Sequence, residues 1–247
     1  MRSVGDAEFQ FLTSYLINET LAIDAGSLGI ALDLDSQRKI KHVFLSHSHI
    51  DHLATLPIFL ENTAEHPAEG VTIYGSDDVL DALQRHLFNG RLWPNLIDET
   101  AGPRPPCRLV RLEAGRPVQI GGVRVTPVAV NHAVPAIGFV VEEGDVAVVF
   151  PVDTGPTEEV WRVANALPKV RAVFLEATFP NSMSDLARVA KHLTPKTFAE
   201  EVRKLSYPAK IIAVHIKPAY REQVVEELLS LGLPDLEIGL PGKEYRF

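Results

Sequence analysis

The sequence predicts a mixed α/β fold in which sheets are sandwiched by helices. Three observations predict it. Short apolar, β-branched runs recur at 20–25, 42–46, 71–74, 123–130, 137–141, 145–150, 170–175 and 210–216, too brief and too rich in Val and Ile for helices. Helix-like segments fall between several of them, at 52–63, 77–88, 157–167, 183–191, 195–206 and 218–231. The N-terminal half is rich in β pattern, whereas the C-terminal half alternates strand and helix, which differs from a simple doubly wound order.

Each element carries its own signal. The run at 42–46 passes directly into a turn of polar residues and then a helical LATLPIFLENT. Thr194 before Pro195 reads as an N-cap followed by proline at the first helical position. Pro218 repeats that start for AYREQVVEELLSLG, with Gly232 as the stop. The stretch 89–117 holds several Pro and Gly and reads as a loop-like insert within a single domain of residues 1–247.

Composition narrows the class. The chain has 247 residues, 24 Lys+Arg against 32 Asp+Glu, and a net charge of −8. That balance disfavours broad attraction to nucleic acid, which depends on basic side chains neutralising phosphates. No apolar run approaches the roughly 18 residues of a membrane span, and the first ten residues lack the apolar core of a secretory signal. One cysteine, Cys107, allows no internal disulfide. A cytoplasmic enzyme or binding protein is the expectation.

The densest chemistry lies in Ser46-His47-Ser48-His49-Ile50-Asp51-His52, at a strand-to-helix turn. In an extended chain residues i and i+2 point the same way, so His47 and His49 can grip one ion. Asp51 and His52 can face a second position. Imidazole and carboxylate suit Zn²⁺, with Mn²⁺ and Fe²⁺ also accepted. His132, Asp153 and His215 follow later apolar runs, so all can converge on one sheet edge.

The order SHSHIDH, His132, Asp153, His215 resembles the metallo-β-lactamase superfamily of two-metal hydrolases, over nearly the whole chain. The resemblance implies a four-layer αββα sandwich, two facing mixed sheets flanked by helices. It implies two divalent ions, one held by His47, His49 and His132, the other by Asp51, His52 and His215, with Asp153 between them. Asp24 resembles an early Asp of the family that orients a ligand from behind. Asp153 stands where several β-lactamases have Cys, which disfavours that activity.

Glu176-Ala177-Thr178-Phe179 with His192-Leu193-Thr194 resembles the phosphodiesterase branch, shared by ribonuclease Z and the class II cyclic-nucleotide phosphodiesterases. His215-Ile216-Lys217-Pro218, His86-Leu87-Phe88-Asn89-Gly90 with Trp93-Pro94, and Asn131-His132-Ala133-Val134-Pro135 are similar to the latter. The resemblance implies hydrolysis of a 3′,5′-cyclic nucleotide (cAMP or cGMP) to the 5′-nucleotide by a metal-bridging hydroxide. His192 would be the general acid, Glu176 its orienting partner, and Asp51 an acceptor of the water's proton. Phe88, Asn89, Trp93 and Lys217 are the candidate substrate contacts. His42, His66 and His86 read as structural or surface residues. The resemblance also implies a Gly-rich strand ahead of the segment Thr13-Ser14-Tyr15-Leu16-Ile17; only MRSVGDAEFQFL precedes it, so that first strand is expected to be shortened or absent. The alternatives are a ribonuclease Z-like RNA endonuclease, another ester hydrolase of this fold, and a metal-bearing binding protein without turnover. A small cyclic nucleotide is the expected partner, RNA a disfavoured one, and a homodimer covering the shortened sheet edge is compatible.

Overall fold

The computed structural model describes residues 12–64, 70–97 and 106–247. His66 and the residues before Leu12, where the shortened first strand was expected, lie outside that range. The architecture is α/β: two mixed sheets flanked by helices. The chain divides into two compact units, Phe11–Glu113 and Ala114–Phe247.

The first unit holds a five-stranded sheet in the order β1(Tyr15–Ile17), β2(Leu21–Ile23), β3(His42–Phe44), β4(Val71–Gly75), β5(Cys107–Arg111). β1 runs antiparallel to β2, and β2 to β5 are parallel. Parallel strands need crossover connections; α1(Leu28–Ala31), α2(Leu34–Lys39), α3(Ile50–Leu53) and α4(Leu56–Thr63) lie in them, and α5(Asp77–Ala82) follows β4. Their apolar faces close one core around Val43, Ile73, Phe59, Leu60, Leu83 and Phe88.

The second unit holds seven strands in the order β12(Leu236–Ile238), β11(Lys210–Val214), β10(Val170–Glu176), β9(Val146–Val152), β8(Ile137–Glu143), β7(Val123–Ala129), β6(Val118–Ile120). β9 to β12 are parallel, and β6 to β9 form an antiparallel meander. Its helices are α6(Glu159–Asn165), α7(Ser184–Ala190), α8(Pro195–Val202) and α9(Arg221–Ser230). They bury Trp161, Phe198, Val224 and Leu228 against Val149, Val173 and Ile211. β10 is buried on both faces over nearly its whole length, as a central parallel strand requires.

All eight expected strand runs form strands. Thr194 caps α8, and its backbone N–H donates to Thr197 Oγ1 at 2.9 Å. Gly232, at φ +61, ends α9. Four expectations are corrected. The helix expected over 52–63 is two helices, because Pro57 has no N–H to bond residue 53, and the Thr55 hydroxyl is taken by Ala25 O (3.0 Å) and Gly29 N (2.8 Å). The segment 77–88 finishes as a π-helical turn, Leu83–Leu87, in which Phe88 N–H reaches back to Leu83 O. Pro218–Tyr220 is a 3₁₀ turn leading into α9. The loop-like 89–117 contains β5, a strand whose apolar pattern is diluted by Arg108 and Arg111.

Cys107 is buried, which pushes its thiol up to about 12 and leaves it no thiolate near neutral pH.

On β12, Glu237 takes Lys210 (2.7 Å), Lys243 and the Tyr245 hydroxyl (2.8 Å). The two ammonium groups pull its carboxyl from 4.5 down to about 2. A carboxyl depressed in the folded state stabilises the fold above its unfolded value and loses that contribution as pH falls toward 2. Urea unfolding between pH 5 and 2 should therefore show a shallower acid decline in Glu237→Gln than in the parent; equal slopes would refute the role of this group.

Candidate metal site

In the first unit the site residues sit at the carboxyl ends of two neighbouring parallel strands. Ile23 pairs with Phe44, so Asp24 and Leu45–Ser46 leave the sheet side by side. Asp24 turns out at φ +59 while its N–H donates to Phe44 O at 2.8 Å. Its carboxylate is fully buried. Oδ1 accepts Ser46 N–H (2.8 Å); Oδ2 accepts the Ser46 hydroxyl (2.8 Å) and His52 Nδ1 (2.7 Å). The turn closes because position 26 is glycine: a Cβ there would stand 2.0 Å from Asp51 O.

Ser46 Oγ lies 2.9 Å from His47 Nδ1. Its proton is committed to Asp24, so it accepts from the ring. His47 and His52 therefore both carry the proton on Nδ1 and the lone pair on Nε2, the form a metal ligand needs. His49, the N-cap of α3, stacks edge-on to His47 with ring centroids 4.7 Å apart. Ligand atoms of His47 and His49 lie within 4.8 Å of each other, as do those of Asp51 and His52.

In the second unit Val152, Glu176 and Val214 end three adjacent parallel strands, in register Leu175↔Val152 and Glu176↔Val214. Asp153 and His215 are the next residues out, and Glu176 is the last of β10. β7 runs in the same direction as β9, so His132 emerges at the same edge. Such carboxyl ends are where open α/β sheets present their ligands. Ligand atoms of His132 and Asp153 lie within 4.8 Å of each other, as do those of Asp153 with His215, and of Asp153 with Glu176 and His192.

The backbone is bent to achieve this. Val152, Lys191 and His215 have φ of +54, +54 and +56. A β-branched valine there is a true outlier, costing on the order of 1–3 kcal/mol. It turns Asp153 off the strand.

Two further candidate ligands, His132 and His215, are also held through Nδ1. His132 Nδ1 donates to Lys191 O at 3.2 Å, and Lys191 Nζ returns a bond to His132 O at 2.8 Å. His215 Nδ1 lies 3.0 Å from Thr178 Oγ1, whose proton goes to Glu176 Oε2 at 2.6 Å. All four rings thus offer Nε2. Each unit offers imidazole nitrogens and a carboxylate, Asp51 in the first and Asp153 in the second, the donor types a divalent cation such as Zn²⁺ accepts.

Glu176 is buried and accepts from Thr154 N (2.9 Å), His192 Nδ1 (2.7 Å), Thr178 N (3.2 Å), Thr178 Oγ1 and Leu193 N (3.1 Å). Burial alone would disfavour a charged His192. The hydrogen bond and charge of Glu176, with the charge of Asp153, outweigh that burial and the opposing charge of Lys217, so His192 is held above the ordinary histidine value. Its ring lies 5.7 Å from that of His215.

The expected substrate contacts fare unevenly. Phe88 is 1% exposed in the core of the first unit and has no face to offer a base; its apolar side chain is worth more inside. Asn89 ties its own loop, accepting from Arg91 N and Leu92 N and donating to Arg85 O. Trp93 packs against the same core while partly exposed. Lys217 stands near enough for its charge to act on His192. His42 bonds Tyr74 Oη at 3.1 Å, and His86 is exposed. The reading from sequence gave no separate role to Ser46, Thr178 or Lys191. The first two are hydroxyls beside the His- and Glu-bearing turns, a weak signal; Lys191 had none.

Asp24→Asn replaces one acceptor by an NH₂ that would face Ser46 N–H or His52 Nδ1–H. Metal affinity, measured by competition with a chromophoric chelator, should fall about 10–100-fold. Affinity equal to the parent would refute the orienting role of Asp24.

Comparisons with known proteins agree with this geometry. The chain is 27% identical to a probable 3′,5′-cyclic-nucleotide phosphodiesterase of Yersinia pestis, over 92% of this chain and 79% of that one. It is 25% identical to a ribonuclease Z of Bacillus licheniformis, over 78% and 75% of the two chains. Unliganded yeast PDE1 superposes with a TM-score of 0.71 at 23% identity, over 84% of this chain and 68% of that one. The family model of the β-lactamase superfamily domain matches residues 27–216, which contain every ligand candidate from His47 to His215. With that match over most of its length, the chain belongs to the β-lactamase superfamily, as a metal-dependent hydrolase of that fold.

Proposed function

We propose that this protein is a two-metal phosphodiesterase that opens a 3′,5′-cyclic nucleotide to the 5′-nucleotide. In this reading His47, His49, Asp51 and His52 of the first unit, and His132, Asp153 and His215 of the second, are the metal ligands. The observation that carries the reading is the His192–Glu176 pair: a histidine with its proton-bearing form favoured, beside the ligands Asp153 and His215. A phosphodiester with an alkoxide leaving group needs such an acid. The Yersinia pestis relative supports the substrate class.

Bound divalent ions supply Lewis acidity and make water a nucleophile near neutral pH. The chain's residues do the rest. Glu176 fixes the Nδ1–H of His192, so the proton on Nε2 is the one that passes to the departing O3′. Asp51 takes a proton from the attacking water. Lys217 steadies a phosphate oxygen as a point charge.

A second reading, cleavage of an RNA precursor, is favoured by the ribonuclease Z relative and disfavoured by the charge of −8. One experiment separates them. The protein is loaded in parallel with Zn²⁺, Mn²⁺ or Fe²⁺ and incubated with cAMP, cGMP, a 2′,3′-cyclic nucleotide and a tRNA precursor, with His47→Ala as the blank. Chromatography should show a 5′-nucleotide from cAMP or cGMP that the blank does not produce. Cleavage of the RNA alone would transfer the function to the second reading; turnover of none of the four by metal-replete protein would refute both.

His192→Ala should retain metal. It should lose about 10²–10⁴-fold in turnover of the cyclic nucleotide and much less on bis(p-nitrophenyl) phosphate, whose leaving group needs no proton. Equal losses on both would remove His192 from the acid role.

A further inference from the structure

We propose that Thr178 is a positioning residue whose single hydroxyl couples the acid His192 to the ligand His215; this rests on the phosphodiesterase reading above. A hydroxyl has one proton and two lone pairs. Thr178 Oγ1 is buried, and its shortest contact is Glu176 Oε2 at 2.6 Å. A carboxylate oxygen only accepts, so the proton lies there. The two lone pairs face His215 Nδ1 at 3.0 Å and His192 Nδ1 at 3.2 Å. The two rings are nearly parallel, 15° apart. His192 Nδ1–H is thus shared between Glu176 Oε1 and the threonine oxygen, and His215 Nδ1–H has that same oxygen as acceptor. A rotation of either ring is felt by the other through one atom.

The first unit repeats the arrangement with different residues. Asp24 holds one histidine directly, His52, and a second, His47, through the Ser46 hydroxyl, which also lies 3.5 Å from His52 Nδ1. Glu176 likewise holds His192 directly and His215 through Thr178. Each unit therefore places a carboxylate, one hydroxyl and two histidines in the same connectivity. A capping role for Thr178 would be carried by its backbone, which bonds Leu193 O and Lys217 N. Valine preserves that backbone role and shape and removes only the hydroxyl.

The test compares Thr178→Val, Thr178→Ser, Glu176→Gln and the double variant, each checked for folding by circular dichroism. Thr178→Ala replaces valine if that variant misfolds. Metal per chain is measured after dialysis, and kcat and KM are measured on cAMP and on bis(p-nitrophenyl) phosphate. Thr178→Val should lose about 10–100-fold in kcat on cAMP, with KM nearly unchanged, a smaller loss on the nitrophenyl ester, and lower metal retention. Serine should restore both readouts. Thr178→Val combined with Glu176→Gln should be no worse than the worse single change, because both break one network. Parent-like kcat and metal content in Thr178→Val would overturn the proposal, as would equal losses on both substrates with metal content intact. If the parent protein cleaves no phosphodiester, the phosphodiesterase reading fails on its own. Metal retention then decides for Thr178: loss in Val and recovery in Ser support its hold on His215, and no difference between them refutes it.

Discussion

A buried carboxylate that gathers donors from several chain segments is the interaction on which the site depends. Asp24 draws in Ser46 and His52; Glu176 draws in Thr154, Thr178, His192 and Leu193. Each carboxylate is unable to donate, so every group that meets it must turn a proton inward. That fixes the tautomers of the histidines from their inward nitrogens. Removing one member of such a buried set costs about 1–3 kcal/mol for each partner left unsatisfied. The rigidity of the ligands follows from this cost.

Sheet topology delivers the carboxylates to their places. In both units the relevant strands are parallel and end in register, so residues distant in sequence leave the sheet together. Departures from regular backbone then aim the side chains. Asp24, Val152, Lys191 and His215 all adopt the left-handed region, each at a site residue or directly before one. The sheet supplies position to within a residue, and the strained turn supplies direction.

Much of this was legible in the sequence, and the reason differs by element. Strands read correctly where burial on both faces forces continuous Val and Ile, as in β10. β5 was lost because its arginines interrupt that pattern. Dense polar turns such as His47 to His52 were legible because little in packing requires four ligand-type residues there. Asp24, Glu176 and His192 were found only through family likeness, and the structure gives them their hydrogen bonds. Phe88 shows the opposite failure. Its place in a family-like segment suggests a ligand contact, while its ring lies in the core directly after a π-helical turn. Ser46 and Thr178 were invisible as actors because a hydroxyl beside a strand end is common, and what sets these two apart is a proton direction that only three-dimensional neighbours determine.

The left-handed valine before Asp153 carries a consequence for how the molecule can be improved. Glycine at 152 would relax the backbone, yet it would also widen the unfolded ensemble and free the next residue to swing. Proteins sit close to a stability threshold, and relief of backbone strain is one way a substitution can gain stability. Selection for heat resistance alone would therefore press on Val152, and would do so at the expense of the aim of Asp153. Under the proposed function the residue marks a point where durability and activity are in competition, and libraries built to harden this fold do best to hold it fixed.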